Sequence, residues 1–308
     1  MNKFLLWLKA LRAPFFQAAA IPVIVGTSVA FWHGKFSSLF FFILALVGNV
    51  SLNAAVNLIN DYFDRPSDNI NPQPTPFSGG SRIIQEGLLP AKAFLKGAII
   101  AYLVSLVIGI YLIYHTGPIL LYIVLVGFIL NYSYTAPPLF LDYHGLGELV
   151  VFLCLGPLAV LGAYYVQART LSWEALLVSI PVGLLVGGIL YINEFPDYEP
   201  DKAAKKNHLV VLLGKEKAVK GYILLLALIY LSILIAMGLK AVPILALLTL
   251  LTLPIAIKTG KTALQHYADA NVMTLIPAMA GQIQLHLLIG LLLSLSCIFG
   301  RLLLPILP

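Results

Sequence analysis

The chain has 308 residues, of which 60% are hydrophobic and only 10% carry a charge. Soluble domains carry about 25% charged residues, so the composition excludes a soluble globular protein and points to a polytopic protein of the lipid bilayer. The net charge of +6 is spread over loops that set membrane topology rather than gathered on a soluble basic face, which argues against nucleic acid as a partner.

A membrane span needs about 20 apolar residues. Such runs fall near 14–33, 37–60, 93–114, 117–134, 147–166, 173–193, 218–239, 242–258 and 273–299, predicting an all-α fold of nine transmembrane helices. The stretch before the first run, through Trp7 and Lys9, is too short and too interrupted for a cleaved signal peptide. If the N-terminus is cytoplasmic, only Lys35, Arg169, Lys240 and Arg301 of the 19 Lys and Arg lie outside, leaving 19 − 4 = 15 inside. That bias predicts a cytoplasmic N-terminus in the cell (inner) membrane. Cys154 and Cys297 lie within apolar runs and give neither a disulfide framework nor a metal-ligand spacing. One integral-membrane domain is expected over 1–308. In the sixth run Gly183, Gly187 and Gly188 would allow close packing or wall a tunnel.

The second run ends in Asn60-Asp61-Tyr62-Phe63-Asp64-Arg65-Pro66-Ser67-Asp68, and the sixth in Asn193-Glu194-Phe195-Pro196-Asp197-Tyr198-Glu199-Pro200-Asp201. Both read N-x-x-x-D-x-x-x-D. Residues four apart on a helix are offset by roughly 40°, so each motif forms one polar stripe. Four spans separate the stripes, which places both on the cytoplasmic face. The repeated motif also marks a weak internal repeat between the two halves. Facing each other, the stripes would concentrate negative charge that divalent cations neutralise. The candidate metal ligands are Asn60, Asp61, Asp64, Asp68, Asn193, Asp197 and Asp201, and Mg²⁺ suits their hard oxygens.

Cations lie close by in sequence. Gly79-Gly80-Ser81-Arg82 follows the Pro-rich stretch Pro72-Gln73-Pro74-Thr75-Pro76. Glycine N–H groups, Ser81 and Arg82 could hold phosphate, as could Lys202, Lys206 and Arg12. Lys202, Lys205, Lys206 and Arg12 equally fit topology-setting charge. A third constellation, Asn131 to Pro138 and then Asp142 to Glu148, joins the fourth and fifth runs. Tyr132 and Tyr143 fit either an interfacial belt or cation–π contact with a carbocation. Asp142, His144 and Glu148 could orient or deprotonate an acceptor. His208 and His286 carry less information.

Together these motifs resemble the UbiA superfamily of intramembrane prenyltransferases, over nearly the whole chain. More narrowly, the chain is similar to the 1,4-dihydroxy-2-naphthoate polyprenyltransferase (MenA) branch. The stretches that carry this are Asn60 to Asp64 with Gly79 to Arg82, Tyr143 to Glu148 running into Gly156 to Gly162, and Tyr164-Tyr165-Val166-Gln167. The resemblance implies nine helices, Mg²⁺, a polyprenyl diphosphate donor and an aromatic acceptor on the route to menaquinone. It implies that Asp64, Asp68, Asp197 and Asp201, with Tyr132 and Asp142, serve catalysis. Arg82, Lys202, Lys206, Arg12 and Ser81 would hold the diphosphate. The chain departs from that branch after the second stripe, where Lys205, His208 and Leu212 replace a Gly, a Thr and an Arg. Glu194-Phe195-Pro196 also replaces an N-x-R-D-like stretch. Another acceptor (a different quinone precursor, a chlorin, a haem or a glycerol phosphate lipid) fits the same motifs. From other classes, a cation-coupled transporter would place its carboxylates near mid-membrane, and a lipid-binding scaffold would not need intact stripes.

Overall fold

The computed structural model describes residues 2–303. All regular structure among them is helical. Helix α1 (Lys3–Ala10) leads through a 3₁₀ turn at Ala13–Phe15 into α2 (Phe16–Trp32), and α3 (Leu39–Phe63) and the short α4 (Arg65–Ile70) follow. After a long loop come α5 (Ala91–Thr116), α6 (Ile119–Thr135), α7 (Gly147–Leu153), α8 (Ala159–Ala168) and α9 (Trp173–Asn193). The chain ends with α10 (Tyr198–Ala203), α11 (Leu209–Leu213), α12 (Lys215–Gly238), α13 (Leu253–His266) and α14 (Ile276–Leu303). Eight helical stretches are long and apolar enough to cross a membrane, and a ninth apolar helix, Ile119–Thr135, has 17 residues.

Local chemistry explains the boundaries. Ser38 and Ser172 cap α3 and α9, their hydroxyls accepting from Phe41 N at 3.3 Å and Ala175 N at 3.2 Å. Between α7 and α8 the helix widens into a π turn over Cys154–Leu158. Pro157 lies inside it and supplies no N–H, so the regular ladder cannot run through.

The main core is built by α2, α9, α12 and α14, with Tyr164, Val182, Leu185, Tyr222 and Met279 fully buried or nearly so. One polar tie crosses it. Tyr222 donates to Gln282 Oε1 at 2.8 Å, and Gln282 Nε2 donates to Leu185 O at 2.9 Å, joining α12, α14 and α9. Such bonds hold membrane helices together where the hydrophobic effect cannot. Gly188 packs against Gln282 and Gly183 against Phe152. None of Gly183, Gly187 and Gly188 lines either cavity described below, so the sixth run uses its glycines for close helix packing and not as a tunnel wall. A second cluster seats Leu6, Trp7 and Ala10 of α1 against Leu58 and Ile59 of α3 and Phe94 and Ala98 of α5.

The polar stripes survive their prolines. Pro66 and Pro196 interrupt regular helix, yet Asp64 N still donates to Asn60 O at 2.8 Å and Asp68 N to Asp64 O at 2.9 Å. In the second stripe Asp201 N donates to Asp197 O at 2.9 Å. Each stripe is thus a long helix, a one-residue or short-turn break and a short helix, and α4 packs against α10.

Candidate active site

The two stripes wall one cavity of about 180 Å³. Asn60, Asp64 and Asp68 line one side, and Asn193, Asp197 and Asp201 line the other. Asn60 Nδ2 donates to Asp64 Oδ2 at 2.8 Å, holding that carboxylate in place. Lys206 enters from beyond α10, its backbone N–H bonded to Asp201 O at 2.8 Å. Its Nζ lies 2.8 Å from Asp64 Oδ2, 2.7 Å from Asp142 Oδ2 and 3.9 Å from Asp201 Oδ2. Tyr143 completes the group, donating from its hydroxyl to Asp64 Oδ1 at 3.1 Å.

Negative charge dominates. Asp64, Asp68, Asp142, Glu194, Asp197 and Asp201 line the cavity against only Arg12 and Lys206. Burial, then the nearby carboxylates Asp64 and Asp61, push Asp68 up to about 8. Burial and Asp201 push Asp197 up to about 7. Burial also raises Asp142, to about 6, against the pull of Lys206. Asp201 is the exception: Lys206 and His208 outweigh burial and hold it below the ordinary carboxylate range. Asn193 Oδ1 is buried without a hydrogen-bond donor. Surplus carboxylates facing one small space suit a hard divalent cation such as Mg²⁺.

The loop after α4 is strapped onto both stripes. Asn71 Nδ2 and Gly79 N donate to the two oxygens of Asp197, at 2.9 and 3.0 Å. Ser81 N donates to Asp61 Oδ2 at 3.0 Å, and the Arg82 guanidinium donates to Asp68 O. Gly79 and Gly80 have φ of +76° and +74°, and a Cβ on Gly80 would run into the Asp68 carboxylate. Only glycine meets both demands.

Several predicted residues fall elsewhere. Asp61 is buried but does not line the cavity; its carboxylate anchors the loop. Ser81 and Arg82 serve the same strap and also lie outside the lining. Lys202 is exposed, with Nζ 5.4 Å from the Tyr198 ring centroid. Tyr132 is on the outer face of α6, while Tyr134 lines the cavity, because two residues along a helix turn through about 200°. Arg12 does line it, in a left-handed conformation (φ 52°) that lets its guanidinium donate to Phe77 O at 3.3 Å. Asp142 and Lys206 also line it, whereas His144 and Glu148 do not.

No sequence motif singles out Asn71 or the pairing of Glu194 with His208. Glu148, Glu194 and His208 bring ligand-type atoms within 4.8 Å of one another. His208 sits 3.3 Å from Glu194 Oε2 and 3.4 Å from Asp201 Oδ2. Burial opposes its charge, but those carboxylates prevail and push it up to about 10. A charged imidazolium is an ion-pair partner and not a metal ligand. The signal was present in the sequence, since Glu194 within the second stripe and His208 after it both depart from the branch pattern and prove to be neighbours.

A second cavity of about 360 Å³ lies behind the first, between α3, α5, α6 and α7–α8. Its walls are nearly all apolar, including Leu52, Ile108, Leu120, Phe128 and Val166. Asn53, Asn131, Cys154 and Leu155 line both cavities and so form the throat between them. A polyanion pocket thus adjoins a greasy chamber across these four residues.

The sequence signature of the UbiA prenyltransferase family matches residues 19–275. The chain belongs to the UbiA prenyltransferase family. By that membership it is a prenyltransferase, integral to a membrane and multi-pass. The chain is 31% identical over 215 residues to a 1,4-dihydroxy-2-naphthoate octaprenyltransferase of Bacillus subtilis, covering 70% of this chain and 68% of that protein. It is 29% identical to a 2-carboxy-1,4-naphthoquinone phytyltransferase of Synechocystis, covering 94% and 92% of the two chains. Among solved structures, an apo UbiA homolog from Aeropyrum pernix has a TM-score of 0.70 at 16% identity, covering 94% of this chain and 98% of that one. A UbiA homolog from Archaeoglobus fulgidus bound to GPP and Mg²⁺ has a TM-score of 0.58 at 17% identity, covering 96% and 99%. These two likenesses are likenesses of fold.

Proposed function

We propose that this protein transfers a polyprenyl group from a polyprenyl diphosphate to an aromatic acceptor, most specifically 1,4-dihydroxy-2-naphthoate on the route to menaquinone. The observation that carries the reading is the paired cavities. A carboxylate-lined pocket beside Lys206 and Arg12 suits a metal-bound diphosphate, and the apolar chamber joined to it suits an isoprenoid tail. The naphthoate-named relatives at about 30% identity favour that acceptor over others.

Asn60, Asp64, Asp68, Asn193, Asp197 and Asp201 would hold the Mg²⁺ ions. Bound there, Mg²⁺ supplies Lewis-acid neutralisation of charge on the leaving diphosphate. Lys206 and Arg12 add fixed positive charge at the same place. The C1–O bond breaks with its electron pair leaving on the diphosphate. The aromatic ring supplies the pair for the new C–C bond, then regains aromaticity by losing a proton or, for 1,4-dihydroxy-2-naphthoate, CO₂. The apolar chamber keeps water from the allylic cation. Tyr134 offers a ring face near the path, Tyr143 holds Asp64 through its hydroxyl, and Asp142 is positioned by its ion pair with Lys206.

The proposal extends to topology. Single-domain organisation over 1–308, nine spans and a cytoplasmic N-terminus put the carboxylates on the cytoplasmic face. In support, the sparse charges expected outside gather at the end away from the site: Lys35 Nζ donates to Thr170 Oγ1 at 3.3 Å, and Arg301 lies against Gly34. The test is turnover of purified protein with a labelled polyprenyl diphosphate, Mg²⁺ and a panel of acceptors headed by 1,4-dihydroxy-2-naphthoate. Prenylated naphthoquinol that vanishes with EDTA or in Asp64→Ala is the expected result. Product with another acceptor only would discard the menaquinone assignment, and no diphosphate release with any acceptor would discard prenyl transfer.

A further inference from the structure

The throat between the cavities carries two amides that a hydrocarbon cannot use. Asn53 on α3 and Asn131 on α6 line the polar pocket and the apolar chamber alike. An amide left facing an apolar chamber without a partner is costly. Asn131 spends its Nδ2 on Gly127 O at 2.7 Å, and among the described residues nothing donates to its Oδ1. Asn53 Oδ1 accepts from Asn57 Nδ2 at 3.4 Å, and among the described residues its Nδ2 donates to nothing. Neither free atom is sealed away from the cavities. The throat therefore offers one vacant acceptor and one vacant donor.

A phenolic hydroxyl is the group that meets both, donating one hydrogen bond and accepting another. We propose that Asn131 and Asn53 bind a ring hydroxyl of the acceptor and thereby decide which aromatic acceptors are used. This rests on the prenyl-transfer reading above. The throat is where that reaction must occur, since the diphosphate lies on one side of it and the tail on the other. Anchoring a hydroxyl there sets the adjacent ring carbon against the allylic carbon. Two fixed amides on neighbouring helices give this positioning without a charge that would compete for the cation. A hydroxyl-matched site also rejects analogues that lack the donor, because its amides are then left unpaired.

The experiment compares 1,4-dihydroxy-2-naphthoate with its two mono-methyl ethers, using purified protein, Mg²⁺ and a polyprenyl diphosphate. Wild-type protein is expected to use at least one ether about tenfold less well in kcat/KM, the size of one lost hydrogen bond. Asn131→Leu should bring that ratio close to one by losing activity on the dihydroxy acceptor, with KM for the diphosphate donor unchanged. Asn53→Leu should do the same, and it reads the throat independently should Asn131→Leu not fold. Thermal stabilisation by Mg²⁺ and donor reports folding of each variant. Wild-type protein that uses both ethers as well as the parent overturns the inference, as does full discrimination in either folded variant. A matching rise in donor KM overturns it too, by assigning the amides to the tail. Wild-type protein that transfers to no acceptor at all removes the prenyl-transfer reading itself.

Discussion

Lys206 Nζ lies 2.8 Å from Asp64 Oδ2, although 142 residues separate them in the chain. The contact joins the first stripe to the segment after the second, and it places a lone ammonium among buried carboxylates. Burial alone would discourage the charge, but Asp142, Asp64 and Asp201 raise the Lys206 pKa well above its ordinary value. The lysine is thus charged at any working pH. Removing it leaves those carboxylates uncompensated. Lys206→Ala is expected to lower stability by about 3–5 kcal/mol in the absence of Mg²⁺. It should also lower kcat by on the order of a hundredfold, the scale of one lost electrostatic stabiliser. Denaturation midpoints and turnover measured on the same preparation check both parts.

The same charge excess gives a pH dependence. Asp68 at about 8 and Asp197 at about 7 both stand above the ordinary carboxyl value near 4. A raised carboxyl favours the folded state only while it holds its proton. That contribution is complete below about pH 4 and is lost as pH rises through 7 and 8. Metal-free protein should therefore lose thermal stability across that window. Added Mg²⁺ should restore more at pH 8.5 than at pH 6, by a few degrees in Tm. A thermal-shift titration with and without EDTA reads it, and equal Mg²⁺ stabilisation at both pH values would count against the cation site.

Two aspartates three residues apart should behave differently. Asp64 lines the cavity, while Asp61 accepts from Ser81 N at 3.0 Å and faces away from it. Asp61→Asn keeps a carbonyl oxygen for that bond, so the half-saturating Mg²⁺ concentration should stay within about twofold. Asp64→Asn removes a ligand charge and should raise it by about tenfold or more. Mg²⁺ dependence of diphosphate release in the two variants is the measurement.

The repeated stripes were legible in the sequence because i, i+4 spacing survives a proline break when the i→i−4 bonds on either side persist, as at Asp64 and Asp68. The apolar runs were legible because a bilayer imposes their length. What was not legible was direction. Asp61 and Asp64 share one motif, yet one anchors a loop and the other faces the cavity. Tyr132 and Tyr134 are separated by one residue, yet α6 turns the second inward. The loop from Asn71 to Arg82 could be read as irregular, but not as a strap tied to Asp197, since that bond spans 126 residues. The Glu194–His208 pair likewise needed coordinates, because each residue alone looks like an isolated substitution.

The rear chamber should set how long a tail is accepted, and its glycines offer a way to shorten it. Gly109 on α5 lines that chamber, and a Cβ there would meet only Val124 Cγ1, at an ordinary 3.7 Å. Since a Cβ here meets no backbone, a leucine side chain is expected to extend into the chamber. It also suits a helix better than glycine, by about 1 kcal/mol, so the fold should tolerate it. Displacing two methylenes of a bound tail forfeits about 0.8 kcal/mol each, together more than tenfold in affinity. Gly109→Leu is therefore expected to raise KM by roughly tenfold for donors long enough to fill the chamber. Geranyl diphosphate, which need not reach that far, should be used about as well as by the parent protein. Steady-state kinetics over a series of donor lengths shows whether the loss begins at a particular length. A uniform loss at every length would instead place the tail outside this chamber.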